Sequence, residues 1–423
     1  MKENTQEIKE YTEYCLNCKV KPCQKGCPLS NDIPSFIHEV KENNIEEAYK
    51  ILSNTTVLGA LCGRICPHEK QCQGNCVRGI KQSPVNIGKI ESYVFDRAIE
   101  EKLYENIEKD DLLLGKNIAI VGSGPAGLTA AAFLAKHSAN VDIYEKQEKL
   151  GGILRYGIPE FRLPKDILDD TIDSILHLGI NYKVNSTLGK DYTLEDLKEK
   201  YDIVFLSFGA NIPTKMNIEG EEYEGVFGGN ELLEYGNHPD YKGKKVAVIG
   251  GGNVAMDASR TIKQMGAEKV YVIYRRAEEQ MPAERKEIDD AKKEGIEFLF
   301  QNNIVKILSD NNKNVSKIEC IKTELVQKEG ETRKVPVNIE NSNYELEMDY
   351  VVMAVGSKAD EELIDKMGLE KTKYGNINVN EKYMTSAEKV FAAGDLIGTK
   401  STVAWAARSG REAAESIINY LKK

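Results

Sequence analysis

The stretch Asn117–Leu128, N-I-A-I-V-G-S-G-P-A-G-L, decides the fold. A short apolar run (Ile118–Val121) breaks into Gly122, Gly124 and Gly127, then continues into the Ala-rich segment Leu128–Ala135. That order predicts a strand, a tight turn and a helix. Gly122 permits the turn, Gly124 lets the backbone approach a pyrophosphate, and Gly127 lets the helix pack on the strand. Ser123, Pro125 and Ala126 complete a turn whose free N–H groups open a helix and suit an anion. A second strand is expected at Asn140–Tyr144. It ends at Glu145, about 20 residues on, where an acid can hold a ribose hydroxyl. Three glycines alone are a weak signal, but strand, helix and acid in register argue against a bare turn.

A second copy begins at Lys245, where K-V-A-V-I-G-G-G precedes N-V-A-M-D-A-S-R. Its motif is Gly250, Gly252 and Ala255, with alanine in the last place, as the pattern permits. The next strand, Val270–Tyr274, ends on Arg275-Arg276 where the first copy has Glu145. Adjacent arginines suit a 2′-phosphate through bidentate, charge-assisted contacts, so NADP(H) is favoured over NAD(H). The competing reading is two arginines on a solvated strand end. Around this copy lie two apolar strands, Tyr201–Gly209 and Asp349–Gly356, read as an exit from one domain and a return to it. Near the C-terminus, V-F-A-A-G-D places Gly394 and Asp395 in a turn before a helix that starts near Ser401 or Thr402. An aspartate there can bind a polyol hydroxyl, and the helix N-terminus can face an anion or a flavin carbonyl.

The chain has 9 cysteines, and all but Cys320 fall between Cys15 and Cys76. They read C15-x2-C18-x4-C23-x3-C27-P and C62-x3-C66-P-x4-C72-x3-C76. Helical spacing of apolar residues runs through Ile33–Leu52, so the cysteines are expected on loops braced by short helices. Thiolates in fours suit zinc or an iron–sulfur cluster. A crowded run closed by Cys-Pro resembles the bacterial ferredoxin pattern, with a longer middle gap. Beside a flavin-type fold an electron carrier has a purpose that zinc lacks, so clusters are favoured. From Pro84 a helix is expected to about Glu105, with a charged linker at Glu100–Asp111. The segment R155-Y-G-I-P-E-F-R-L-P164 is too rich in Gly and Pro for regular structure and is read as a loop.

At 423 residues the chain has length for two or three domains. Lys+Arg 57 against Asp+Glu 67 gives a net charge of −10, which disfavours nucleic acid or an anionic membrane as partner. Met1–Tyr14 lacks the apolar core of a signal peptide, and no run suffices to span a bilayer. A cytoplasmic protein is expected, in which cysteines point to metal or redox chemistry.

With these pieces in order, the chain resembles the small (β) subunit family of bacterial glutamate synthase. It is similar too to the large subunit of NADH-dependent ferredoxin:NADP oxidoreductase and to the N-terminal half of dihydropyrimidine dehydrogenase. Both cysteine groups carry the likeness, with I-G-K-I-E, G-S-G-P-A-G-L, G-I-P-E-F-R-L-P, G-G-G-N-V-A-M-D, Y-R-R and A-G-D. The resemblance implies an α/β chain: an N-terminal all-α iron–sulfur domain (1–110), then two Rossmann-like domains. The NADP(H) domain (226–344) is inserted in the FAD domain (115–225 and 345–423). FAD, NADP(H) and two [4Fe–4S] clusters are the implied cofactors. Cys27, Cys66, Cys72 and Cys76 would hold one cluster; Cys15, Cys18, Cys23 and Glu91 the other, leaving Cys62 spare. Simple counting of eight cysteines disagrees with that last point. FAD contacts are implied at Gly122, Ser123, Gly124, Pro125, Ala126, Gly127, Glu145, Lys146, Gly151, Gly152, Arg162, Leu188, Gly394, Asp395, Thr402 and Val403. NADPH contacts are implied at Gly251, Gly252, Asn253, Val254, Arg275, Arg276, Ala354, Val355 and Gly356. Phe208-Gly209 departs from the Thr-Gly common in related flavoproteins. No extra amidotransferase or FMN-barrel domain is expected.

The implied activity is that of an oxidoreductase moving electrons from NADPH through FAD and the clusters to a partner. That partner would be a glutamate synthase large subunit, a ferredoxin or another reductase. No acid–base dyad or nucleophile is visible, so the flavin itself would be the catalytic group. A disulfide reductase would need a C-x-x-C in the nucleotide region, where only Cys320 lies. A non-enzymatic alternative is a zinc-bound interaction module on a nucleotide-binding scaffold.

Overall fold

The structure is a computed structural model that describes residues 5–327 and 334–422. It divides into two compact units. The first comprises Met1–Arg155, Glu160–Ala210 and Ala359–Lys423, and the second Tyr156–Pro159 with Asn211–Lys358.

The first unit opens with six helices: α1 (Thr5–Tyr14), α2 (Pro22–Gly26), α3 (Ile33–Lys41), α4 (Ile45–Ser53), α5 (Gly59–Ile65) and α6 (Ile87–Glu100). Phe36, Ile37, Leu52, Ile90 and Val94 form their common core. The periodic stretch Ile33–Leu52 folds as two short helices, α3 and α4. Asn43 takes a left-handed φ of 60°, and the Asn44 side chain caps α4 by accepting from Glu47 N at 3.3 Å, a cap that starts a new helix. Helix α6 stops at Glu100, short of the expected Glu105, because Lys102 has φ 53° and leads into a 3₁₀ turn.

Next come β1 (Asn117–Val121), α7 (Pro125–Ala135), β2 (Asn140–Tyr144), α8 (Ile153–Tyr156), α9 (Lys165–Leu176), β3 (Asn181–Lys183), α10 (Leu194–Lys200) and β4 (Ile203–Leu206). Strand β1 lies between β2 and β4, all parallel, with Ile118 opposite Val141 and Ile203. Its last four residues are buried, as in a sheet covered on both faces.

The second unit holds β5 (Ile212–Pro213), β6 (Val226–Gly228), α11 (Gly229–Tyr235), β7 (Lys245–Ile249), α12 (Asn253–Gln264), β8 (Lys269–Tyr274), α13 (Arg285–Lys293) and β9 (Glu297–Phe300). After them come β10 (Asn302–Ser309), β11 (Val315–Val326), β12 (Val335–Asn338), β13 (Tyr344–Glu347), β14 (Tyr350–Met353) and β15 (Ser357–Lys358). A five-stranded sheet runs in the order β6-β14-β7-β8-β9. Beside it, β10, β11, β12 and β13 form an antiparallel sheet. The strand expected to mark the return, Asp349–Gly356, belongs to this unit. Tyr350–Met353 pairs with Val246–Ile249, so the first unit resumes only at Ala359. The chain's exit and return segments are themselves paired, Pro213 with Ser357 and Ile212 with Lys358.

Back in the first unit, α14 (Glu361–Lys366), β16 (Val390–Ala392) and α15 (Val403–Leu421) finish the chain. Strand β16 joins β4, giving the order β16-β4-β1-β2-β3, the arrangement of a dinucleotide-binding sheet. Among the described residues no helix is long and apolar enough to cross a membrane.

The turn after β1 tolerates no side chain at two places. Gly122 has φ 97°, and a Cβ on Gly127 would stand 2.0 Å from the Gly122 carbonyl oxygen. Gly127→Val should therefore destabilise the first unit by about 1–3 kcal/mol and lower flavin content in parallel. Urea unfolding and flavin release measure the two effects; an unchanged midpoint contradicts the packing argument.

Candidate functional site

The first fingerprint folds as a closed hydrogen-bonded turn. Glu145, at the end of β2 and 4% exposed, accepts from Ser123 N at 3.0 Å and from Ser123 Oγ at 2.6 Å. Its other oxygen accepts from Gln147 N at 2.9 Å. Ser123 Oγ in turn accepts from Gly151 N at 3.0 Å, and a Cβ on Gly152 would lie 2.8 Å from Gly124 Cα. Pro125 starts α7, where its missing N–H costs nothing. A Cβ placed on Gly394 would touch the Ala126 side chain at 3.1 Å, which sets Gly394-Asp395 over the start of α7. Burial raises the Asp395 carboxyl above its ordinary value, opposed by a hydrogen bond from Thr399. Thr402 caps α15 by accepting from Trp405 N at 3.4 Å, and Val403 is the first helical residue. Leu188 packs in the core beside Tyr144. Arg162 is half-buried in the turn before α9, and Lys146 is exposed. Sequence reasoning missed Ser207, whose hydroxyl donates to the Gly122 carbonyl at 2.9 Å. No spacing rule marks it; it stands one residue before the unusual Phe208.

In the second unit the copy repeats this design. Gly252 precedes α12. Asn253 Oδ1 accepts from Glu284 N at 3.0 Å, and Ala354 N donates to Ile249 O at 2.8 Å. Gly251 stands against the Tyr274 ring, and Val254 and Ala354 both face Gly229. The Gly356 carbonyl accepts from Thr214 N at 3.0 Å, and Val355 between them is half-buried. Arg275 and Arg276 follow β8 with fixed backbones: the Arg275 carbonyl accepts from Thr323 Oγ1 at 2.8 Å and that of Arg276 from Gln301 N at 3.1 Å. Arg275 is exposed and Arg276 half-buried.

The cysteines form two sets. Cys15, Cys18, Cys23 and Cys76 line one pocket with Pro22, Ile33, Ile37 and Val85. Burial pushes the Cys23 thiol up to about 11, and repulsion from Cys15 and Cys76 adds to it. The second set surrounds Glu91. Burial drives Cys27 up to about 12, with the Glu91 charge next in effect and Cys62 also contributing. Cys66 is raised by its hydrogen bond with Cys62, then by burial and by Glu91 and Cys72. Burial also raises Cys72, with Cys27 and Glu91 adding. Glu91 itself is pushed to about 8 by burial, against a 3.1 Å hydrogen bond from Asn31.

This arrangement exchanges two members of the expected sets. Cys76 sits with Cys15, Cys18 and Cys23, because the turn before it packs on α2, where a Cβ on Gly26 would meet Asn75. Glu91 sits with Cys27, Cys66 and Cys72, because it occupies the buried face of α6 that packs on α5. Cys62 shares that second set. Among the described residues no three His, Cys, Asp or Glu side chains close on one point as around a single ion. A cluster instead takes each thiolate on a different iron, and the donor chemistry of both sets, soft thiols with one carboxyl, suits it.

The family described as "Pyridine nucleotide-disulphide oxidoreductase" matches residues 116–412. "Dihydroprymidine dehydrogenase domain II, 4Fe-4S cluster" matches residues 1–103. The small chain of glutamate synthase [NADPH] from Escherichia coli (strain K12) is 32% identical over 98% of this chain and 92% of its own length. The chain belongs to the glutamate synthase small-chain family. This family member is an oxidoreductase whose cofactors are FAD, NADP(H) and [4Fe–4S] clusters. It is also 35% identical to the β subunit of NADP(+)-dependent formate dehydrogenase from Moorella thermoacetica, over 95% of this chain but 60% of that protein. FprA from Mycobacterium tuberculosis in complex with NADPH shares the fold: TM-score 0.63, 20% identity, 72% of this chain and 84% of that one.

The exchanged sets make a sharp expectation. Glu91→Ala should remove roughly half of the iron and sulfide, as expected for one of two clusters, and Cys62→Ser should retain both. Iron and acid-labile sulfide per flavin decide it: loss in the Cys62 variant alone would make that cysteine the ligand.

Proposed function

We propose that this chain takes electrons from NADPH and delivers them, by way of FAD and two [4Fe–4S] clusters, to a partner redox subunit, as a glutamate synthase small chain would. One observation carries the reading. A single compact unit contains both cysteine sets and the first dinucleotide turn, which gives an electron carrier and a flavin fold a common frame. Flavin, when bound, links the two-electron hydride chemistry of NADPH to the one-electron chemistry of iron–sulfur centres.

The chain's own residues bind and orient. Backbone N–H groups of Gly124, Ala126 and Gly127 at the start of α7 receive the pyrophosphate of FAD. Glu145 has lone pairs left beyond Ser123 and Gln147 for a ribose hydroxyl. Asp395 and the N-terminus of α15 take polyol and ring-carbonyl contacts. Gly251–Val254 and Ala354–Gly356 hold the NADPH backbone, and Arg275 and Arg276 hold its 2′-phosphate. Cys15, Cys18, Cys23 and Cys76 ligate one cluster; Cys27, Cys66, Cys72 and Glu91 ligate the other. Metal binding keeps these thiols deprotonated despite burial that otherwise favours the neutral form.

The acceptor is a separate protein. Relatives named as a glutamate synthase small chain and as a formate dehydrogenase subunit support a subunit role and differ in the final substrate. Purified anaerobically, the protein should be yellow-brown, contain sulfide and flavin, and bleach with NADPH. A colourless zinc protein would defeat the proposal. Changing Arg275 and Arg276 together to Ala should weaken NADPH binding about 10–100-fold, on the scale of lost charge-assisted contacts, and leave NADH binding nearly unchanged. Spectral titration with each nucleotide measures it; equal losses would remove the 2′-phosphate role.

A further inference from the structure

Helix α15 reaches from the first nucleotide turn into the cysteine module. Arg411 Nη1 donates to the Leu29 carbonyl at 3.0 Å and the Thr55 carbonyl at 2.7 Å. One turn earlier, Arg408 Nη1 donates to the Pro28 carbonyl at 3.1 Å. Pro28 and Leu29 are the two residues that follow Cys27. From Thr55 the path continues: its hydroxyl donates to Asn31 Oδ1 at 2.7 Å, and Asn31 Nδ2 donates to Glu91 at 3.1 Å. Thr55 thus joins Arg411, held at its backbone carbonyl, to the hydrogen bonds that run from its hydroxyl through Asn31 to the Glu91 carboxyl.

The residues between the two arginines face the nucleotide turn. Ser409 Oγ accepts from Gly394 N at 2.9 Å, and a Cβ on Gly410 would stand 2.2 Å from the Ala126 carbonyl. From Thr402 to Arg411 the helix spans about 14 Å at 1.5 Å per residue. Arg411 is 8% exposed. Its acidic neighbour, Glu415, stands 3.6 Å from Nε with its side chain 59% exposed. A buried guanidinium on backbone carbonyls keeps most of its field, whereas a partner in water is screened.

We propose that Arg411, assisted by Arg408, is a positioning residue for electron transfer. It holds the Cys27–Glu91 site at a fixed separation from the flavin turn, and its charge raises the reduction potential of the cluster held there. The inference rests on the cluster reading given above. Reduction adds one electron to that cluster, with no bond made or broken, and a nearby cation stabilises the added negative charge. The hydrogen bonds of Arg408 and Arg411 go to Pro28 and Leu29, next to Cys27, and to Thr55, so the effect should be larger at the Cys27–Glu91 centre than at the other.

The test is an anaerobic potentiometric titration of the holoprotein, read by electron paramagnetic resonance, with iron, sulfide and flavin quantified in each variant. Arg411→Met should shift the reduction equilibrium of one cluster about tenfold, or about 59 mV downward for one electron. The other signal should shift less. The shifted signal should be the one abolished by Glu91→Ala. Arg411→Lys should recover most of the shift, and Arg408→Gln should move the same signal by less. If Arg411→Met loses iron, Arg411→Lys and Arg408→Gln carry the comparison. Equal shifts of both signals, no shift in any iron-replete variant, or iron loss in all three would overturn the proposal. A wild-type protein that lacks flavin or sulfide, or does not bleach with NADPH, would instead defeat the electron-transfer reading itself.

Discussion

Backbone meets backbone at the start of α7, and the rest of the first unit depends on that contact. The Gly122 carbonyl lies where a Gly127 Cβ would go, and the Ala126 carbonyl lies where a Gly410 Cβ would go. Two helices and a strand end thereby approach closer than any side chain permits, which is what glycine at these places allows. The close approach lets Glu145 reach Ser123 and fixes α15 along α7. The hydrogen bonds of Arg408, Arg411 and Lys136 attach the cysteine module to those two helices, and α9 adds apolar contact through Ile167. Besides Arg408 and Arg411, Lys136 at the end of α7 donates to the Ser53 carbonyl at 2.9 Å. Burial alone lowers its ammonium to about 8, a sign of how much water this junction excludes.

The two nucleotide turns were legible in the sequence because their signal is local. Glycine spacing, an apolar run before it and an alanine-rich segment after it act within a dozen residues, and strands β1, β2, β7 and β8 appear where the pattern put them. The helix break at Asn43 was less visible, since apolar periodicity resumes in nearly the same phase on both sides of it. Sheet membership was not legible at all. Tyr201–Gly209 and Asp349–Gly356 read alike as buried strands, yet β4 and β14 lie in different sheets, and only their pairing partners distinguish them.

The cysteine sets show the same division. Residue types and spacing announced thiolate chemistry, but which sulfur stands beside which depends on how α2 and α6 dock. Cys76 and Glu91 exchanged places for that reason. Arg411, Asn31 and Ser207 carried no motif. Each acts through long-range hydrogen bonds to backbone or side-chain groups, and such bonds leave no periodic trace in a chain.

Pairing of β16 with β4 joins Val390 to Val204 across an entire intervening unit. During synthesis the sheet bearing the first fingerprint therefore stays one strand short until Val390–Ala392 leaves the ribosome. Residues 211–358 have by then had time to fold as a body with their own adjacent ends. Long-range closure is thus the slow step expected of this topology, and a chain cut after Lys358 would carry the inserted unit and residues 1–210 but lack β16 and α15.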